Sequence, residues 1–316
     1  MNTAIDVHGH VTPPELLKKF PMPPVLGDVD GMIERKAALG ITTTVVGSPV
    51  GYGTMLPVPG NDNYSQSPDD LARFHEWVAE TVREKAGALT GYVYANPLSA
   101  DDVARASEWL RCKEFTGLIV NSSVRGEFLN DARSDDFFAM AAETGAPVLL
   151  HPPAVPVAAA AMKAVGAIEH VVRPGDITMG VAAILLAGRL RSFPGLKLIA
   201  PNAGGALSLL REKLDMAQRR DSVGGAVEGP PISQQLRQIY VDTATPSLPA
   251  LRAALEVFGP DQLLFGTDSP PLATSLDAAL DMVGALGLSD VDRAKVLGGN
   301  AATLFGIERE ELRRAS

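Results

Sequence analysis

Short apolar runs alternating with longer amphipathic segments constrain this chain more than any other feature of it. The runs predicted as strands are Ala4–Val7, Ile41–Val46, Leu89–Tyr94, Thr116–Val120, Pro147–Leu150, Leu196–Ala200, Gln238–Asp242 and Gln262–Phe265. Each is brief and largely aliphatic or β-branched, as a parallel strand covered on both faces should be. Between them, helical periodicity is expected over Val29–Leu39, Asp69–Lys85, Ala100–Leu110, Asp135–Glu143, Thr178–Arg191, Ala206–Arg219 and Leu248–Phe258, with Asp28 or Asp30 able to cap the first. Eight strands joined by right-handed helical crossovers close most naturally into an α/β fold of the (β/α)8 TIM-barrel type. An open doubly wound sheet is the competitor, but no strand runs into a glycine-rich phosphate fingerprint opening a helix. Long loops are expected after strand two, Gly47–Pro68, and after strand five, Pro152–Asp176. No linker divides residues 1–316, so one barrel domain is expected.

Charge and composition exclude several function classes. The net charge of −9 opposes non-specific attraction to nucleic acid or to an anionic membrane. The most apolar stretch, Val181–Leu190, is broken by Gly188 and Arg189 and is too short to span a bilayer. The start, MNTAIDV, lacks the pattern of a signal peptide, and a lone cysteine, Cys112, fits a reducing compartment. A cytoplasmic protein is the expectation.

Barrel active sites lie at the carboxyl ends of the strands, so those ends can be searched directly. Strand one runs through TAIDVHGH and delivers His8 and His10, two residues apart and hence on one face, with Gly9 leaving room between them. Strand five ends in His151, and strand eight, QLLFGT, ends in Asp268. Three imidazoles and a carboxylate on one rim suit one divalent ion, zinc or another, with a position open for water or substrate. Singly, each residue has an ordinary alternative, such as a histidine bonded to a backbone carbonyl or an Asx turn at Asp268; together, at matching strand ends, they point to a metal. His75, in the charged segment HEWVAETVREK, is expected at the surface, and His170 is either a loop contact or a residue that reaches the site. The end of strand four offers Asn121 and Ser122 but no lysine, which speaks against a carbamate-bridged pair of metals.

The motifs DVHGH, VLLHPP, LIAPNAGGAL after FPGLK, LLFGTDSP and GGNAATLFGI, in this order over nearly the whole chain, resemble the amidohydrolase-related group that includes aminocarboxymuconate-semialdehyde decarboxylase. The resemblance implies a metal-dependent barrel enzyme, usually with zinc and with manganese as the alternative, and homodimeric by family habit. Most members decarboxylate aromatic or unsaturated acids, and some similar proteins are hydratases or hydrolases. One position departs from the pattern: the group has a histidine followed by glycines after strand six, where this chain has Asn202. An amide orients a ligand but cannot act as a base near neutral pH.

The leading expectation is therefore a metal-dependent lyase that decarboxylates a small aromatic or conjugated carboxylic acid. His8, His10, His151 and Asp268 would hold the ion, and Asp268 would deliver a proton to carbon. Arg125 would pair with a substrate carboxylate or stand as a surface loop arginine, Tyr52 and Tyr64 would stack on a planar substrate or pack their loop, and His170 would be a substrate contact if it reaches the site. A hydratase or hydrolase using the same ion is the alternative within enzymes. A ligand-binding descendant, or a form inactivated at Asn202 by nature or by design, is the alternative outside them.

Overall fold

The computed structural model of the protein describes residues 3–162, 164–220, 229–272 and 275–307. Eight parallel strands form one sheet in sequence order: β1 (Ala4–His10), β2 (Ile41–Gly47), β3 (Leu89–Tyr94), β4 (Phe115–Asn121), β5 (Pro147–His151), β6 (Lys197–Ala200), β7 (Tyr240–Asp242) and β8 (Leu263–Leu264). The crossovers carry α1 (Val29–Ala37), α2 (Pro68–Glu84), α3 (Ala100–Trp109), α4 (Asp135–Thr144), α5 (Arg173–Leu186), α6 (Leu207–Arg220) and α7 (Leu248–Phe258). The sheet closes on itself between its last and first strands. Val7 N donates to Phe265 O and Asp268 N to His8 O, each at 2.9 Å. This is the expected (β/α)8 barrel.

The strands are buried along nearly their whole length, because helices cover the outside and side chains fill the inside. Tyr92 in β3 is fully buried, and its hydroxyl donates to Val7 O at 2.7 Å across the barrel interior. Local chemistry fixes the helix starts. Asp28, rather than Asp30, caps α1 by accepting from Gly31 N, and Ser67 caps α2 by accepting from Asp70 N.

Three expectations are corrected. The segment after β5 is helical earlier than its proline and glycine suggest: a helical path begins at Val165, widens into a π-turn over Ile168–Val172 and continues as α5 through Pro174. Pro174 cannot donate a helical hydrogen bond, and the wider turn directly ahead of α5 accommodates it. Gly9 does not leave room for a ligand; a Cβ there would lie 2.4 Å from the methyl Cγ2 of Thr44, so the glycine lets β2 approach β1. His75 is a core residue.

On the inner face of α2, His75 is only 3% exposed and packs among Phe74, Trp109 and Phe115. Its Nε2 accepts from Tyr94 N at 3.0 Å, which ties α2 to β3. Burial pushes its pKa down to about 3, and backbone hydrogen bonds offset this only in part. The folded pKa lies below the unfolded value near 6.5, so the stability present above that pH is lost as pH falls toward 3. The slope approaches about 1.4 kcal/mol per pH unit for one such group. His75→Gln keeps an acceptor but does not titrate. Denaturant unfolding of this variant between pH 7 and pH 4 should show a shallower loss of stability than the parent; equal slopes would place the acid sensitivity elsewhere.

Candidate metal centre

The carboxyl ends of β1, β5 and β8 bring His8, His10, His151 and Asp268 together, with one potential ligand atom from each lying within 4.8 Å of all the others. Two donors on opposite sides of one ion at about 2.1 Å stand about 4 Å apart, so the spacing suits a single centre. The three rings stand nearly perpendicular to one another, with centroids 5.0 to 5.4 Å apart. Each Nδ1 is engaged from behind: His8 by Asp242 Oδ2 at 2.6 Å, His10 by Gly47 O at 3.2 Å and His151 by Pro152 O at 2.8 Å. This leaves every Nε2 for the centre. His8 Nε2 is buried without a hydrogen-bond partner, and Asp268 Oδ1 stands 3.0 Å from His10 Nε2 and 3.5 Å from His8 Nε2. Outer acceptors that set the tautomer and aim the second nitrogen are the usual support of metal-binding histidines.

The electrostatics fit a cation. Burial disfavours a charged imidazole at His8, but the Asp268 and Asp242 carboxylates outweigh it and hold its pKa up at about 9. Burial pushes His151 well below the ordinary histidine range, and His10 and His8 add to this. Burial alone would raise the Asp268 pKa, yet the facing imidazoles of His8, His10 and His151 hold the carboxyl well below its usual value. The Asp242 and Asp268 carboxylates thus favour positive charge on His8 between them, and a divalent ion bound at Nε2 would supply that charge in place of the proton. The donor set and the orphaned nitrogen fit one divalent metal.

Two buried carboxylates that were not singled out in the sequence hold this arrangement. Asp242, the last residue of β7, uses Oδ2 for His8, while its Oδ1 accepts from Asn202 N at 2.8 Å and Ala244 N at 3.0 Å. Asp6, two residues before His8, accepts from His8 N, from Thr267 N and hydroxyl, and from Lys36 Nζ at 2.6 Å. Lys36 reaches in from α1 and is 2% exposed. The strand-end search contained the signal for Asp242, since it closes β7 as His151 closes β5.

A cavity of about 630 Å³ opens beside the centre, with His10, His151 and Asp268 in its lining and His8 behind them. Asn202 and His170 line it, whereas Tyr52, Tyr64 and Arg125 do not. Asn202 adopts φ 55°, a left-handed conformation that asparagine tolerates well. Arg125 is a surface residue that bonds Asp62 and Ser65. The Tyr64 hydroxyl donates to Asn121 Oδ1 at 2.9 Å and packs the loop after β2 onto the end of β4. Tyr52 is buried beneath Lys19 and Arg73. The residue types of these three suit a planar acid, but they stand in loops whose path the sequence does not encode. Arg173 and Glu169, read as part of a long loop, lie on the cavity wall instead.

Asp242→Asn should weaken metal binding by about ten- to a hundredfold, the usual cost of losing an outer partner of a ligating histidine. Competition with a chelator measures it. His8→Ala combined with His10→Ala should abolish binding, and full metal retention in that double variant would refute the ligand set.

The sequence is 26% identical to 6-methylsalicylic acid decarboxylase of Penicillium expansum over 95% of both chains. The fold matches 5-carboxyvanillate decarboxylase of Sphingomonas paucimobilis with a TM-score of 0.82 at 20% identity, covering 98% of this chain and all of that one. It also matches a dihydroxybenzoic acid decarboxylase of a Polaromonas species, solved with manganese and the inhibitor 2-nitroresorcinol. There the TM-score is 0.79 at 19% identity, over 99% of each chain. The sequence profile of the amidohydrolase family matches residues 5–307, and the protein belongs to that family.

Proposed function

We propose that the protein is a metal-dependent carboxy-lyase that removes carbon dioxide from a small aromatic carboxylic acid. The observation that carries this reading is the set of three inward-turned imidazoles and Asp268 at the floor of a largely apolar cavity sized for such a molecule. Membership in the amidohydrolase family and similarity to a decarboxylase along nearly the full chain support it. His8, His10, His151 and Asp268 would hold the ion. Zinc is our assignment because imidazole donors suit it, with manganese, present in the Polaromonas structure, as the alternative. When bound, a divalent ion supplies Lewis-acid charge for the oxygens of the acid.

The chain's own residues do the rest. Met55, Leu56, Leu272 and Met282 exclude water from the face of a planar acid. Asp268 Oδ1 is engaged by the imidazoles, which leaves Oδ2 to relay a solvent-derived proton to the ring carbon as its bond to the carboxylate breaks. Asn202 lines the cavity, where its amide orients a substrate oxygen without taking a proton.

We also assign a homodimer, supported by Val155, Val171, Met179 and Leu209, large apolar side chains exposed between the end of β5 and α6. Light scattering at the mass of one chain would remove that assignment. No helix among the described residues is long and apolar enough to cross a membrane. Cytoplasmic residence is our reading from the unpaired Cys112.

Turnover in heavy water tests the reaction. Carbon dioxide should be released and one deuterium should enter the ring at the vacated carbon. A product that keeps every carbon would move the assignment to a hydratase or hydrolase. Purified protein should also contain close to one equivalent of metal.

Asn202 favours a second reading, an inactivated member of the family, because it replaces the one proton-transferring histidine that the resemblance leads one to expect. Asn202→His should then raise turnover by about two to four orders of magnitude. A flat or lower rate would make asparagine part of the native chemistry.

A further inference from the structure

Asp268 apart, the only carboxylate or fixed cation among the described residues lining the cavity belongs to Glu169 or Arg173. Glu169 lies in the π-turn and Arg173 opens α5, four residues on, so both project from the same face of one helical path. Arg173 Nη1 donates to Glu169 Oε2, and Nη2 donates to Met55 O, on the loop after β2, at 3.2 Å. The Arg173 side chain is only 11% exposed and that of Glu169 is 33% exposed, so the pair is shielded from solvent and from salt.

This placement costs stability, because Arg173 Nε is buried without a partner. It also determines what the wall presents to a ligand. An unpaired arginine opposite a metal would attract a second carboxylate strongly, through a planar bidentate contact. Here the guanidinium charge is already neutralised, and whatever an incoming carboxylate gains from Arg173 it loses to Glu169 at comparable range. The remaining wall mixes apolar groups such as Val11, Leu26 and Met282 with hydroxyl and amide groups such as Thr12, Thr54 and Asn202, which suit alkyl and hydroxyl ring substituents.

We infer that the Glu169–Arg173 pair is a specificity determinant that restricts the site to acids with a single carboxylate, whose other ring substituents are alkyl or neutral hydroxyl groups. The inference rests on the decarboxylase reading for the identity of the ligand. It does not depend on turnover.

The test is calorimetric titration of the purified, metal-loaded protein with salicylate and with 4-hydroxyisophthalate, which adds a second carboxylate to the same ring. The parent protein should bind salicylate at least about tenfold more tightly, a difference of about 1.4 kcal/mol. Glu169→Gln keeps the size and an acceptor for Arg173 but removes the negative charge, and should shift the ratio of the two dissociation constants toward the diacid by about tenfold. Adding Arg173→Met to that variant should reverse the shift, with a thermal melt confirming that the double variant is folded. Equal binding of both acids by the parent, or a ratio that Glu169→Gln leaves within about twofold, would overturn the inference. If the ratios behave as expected but no acid releases carbon dioxide, the decarboxylase assignment fails and the specificity assignment stands. Carbon dioxide released from both acids with the same preference in parent and variant would do the reverse.

Discussion

Asp6 is the buried charge on which the metal centre depends. It has no exposure to solvent, and four donors converge on its two oxygens: a lysine, a hydroxyl and two backbone N–H groups. A carboxylate in the interior is tolerated only when its charge and lone pairs are met in this way. The donors come from β1 itself, from α1 and from the turn after β8, so satisfying Asp6 draws together the two places from which His8, His10 and Asp268 project. Breaking such a buried pair by removing one partner commonly costs about 3 to 5 kcal/mol. The ligand geometry is in this sense a by-product of solving a solvation problem one layer below it.

Polarity in the molecule is stratified by depth. The inner layer around Asp6 and Lys36 is charged and internally paired. The next layer, formed by His8, His10, His151 and Asp268, is left deliberately short of partners on its outer side, with His8 Nε2 unpaired. Above it lies a cavity wall that is largely apolar apart from a self-neutralised ion pair. The outer two layers differ in what they offer: one offers imidazole and carboxylate donors, the other offers bulk without net charge. A ligand satisfies both when its charged end meets the imidazoles and its body meets the aliphatic wall.

The barrel was legible in the sequence because each strand is a short apolar run, and the same reading located His8, His10, His151 and Asp268 once strand ends were compared. What could not be read depends on paths between elements. Asp242 looked like an ordinary strand end until its carboxylate was seen to touch His8, 234 residues away. Lys36 lies among the charged residues of α1, yet its ammonium is buried against Asp6. His75 sits among glutamates in sequence but faces inward by helical phase. Arg125 and the two loop tyrosines were credible by chemical type, but the loop after β2 is shaped by Asn63 and Gln66 side chains bonding its backbone, which no periodicity announces.

The sheet has one weak join. Neighbouring strands elsewhere are paired by parallel ladders, two of them with register shifts, but β8 and β1 meet through two backbone bonds, Val7 N to Phe265 O and Asp268 N to His8 O. The candidate ligands straddle that join, with His8 and His10 on one side and Asp268 on the other. An ion held there would act as a clasp on a hoop, linking the first and last staves of the barrel as well as serving chemistry. Occupancy and the integrity of the closed sheet are then one equilibrium, in which whatever binds the closed form alone also stabilises it. Backbone amides at the join, rather than those of the central strands, would report most directly whether the clasp is fastened.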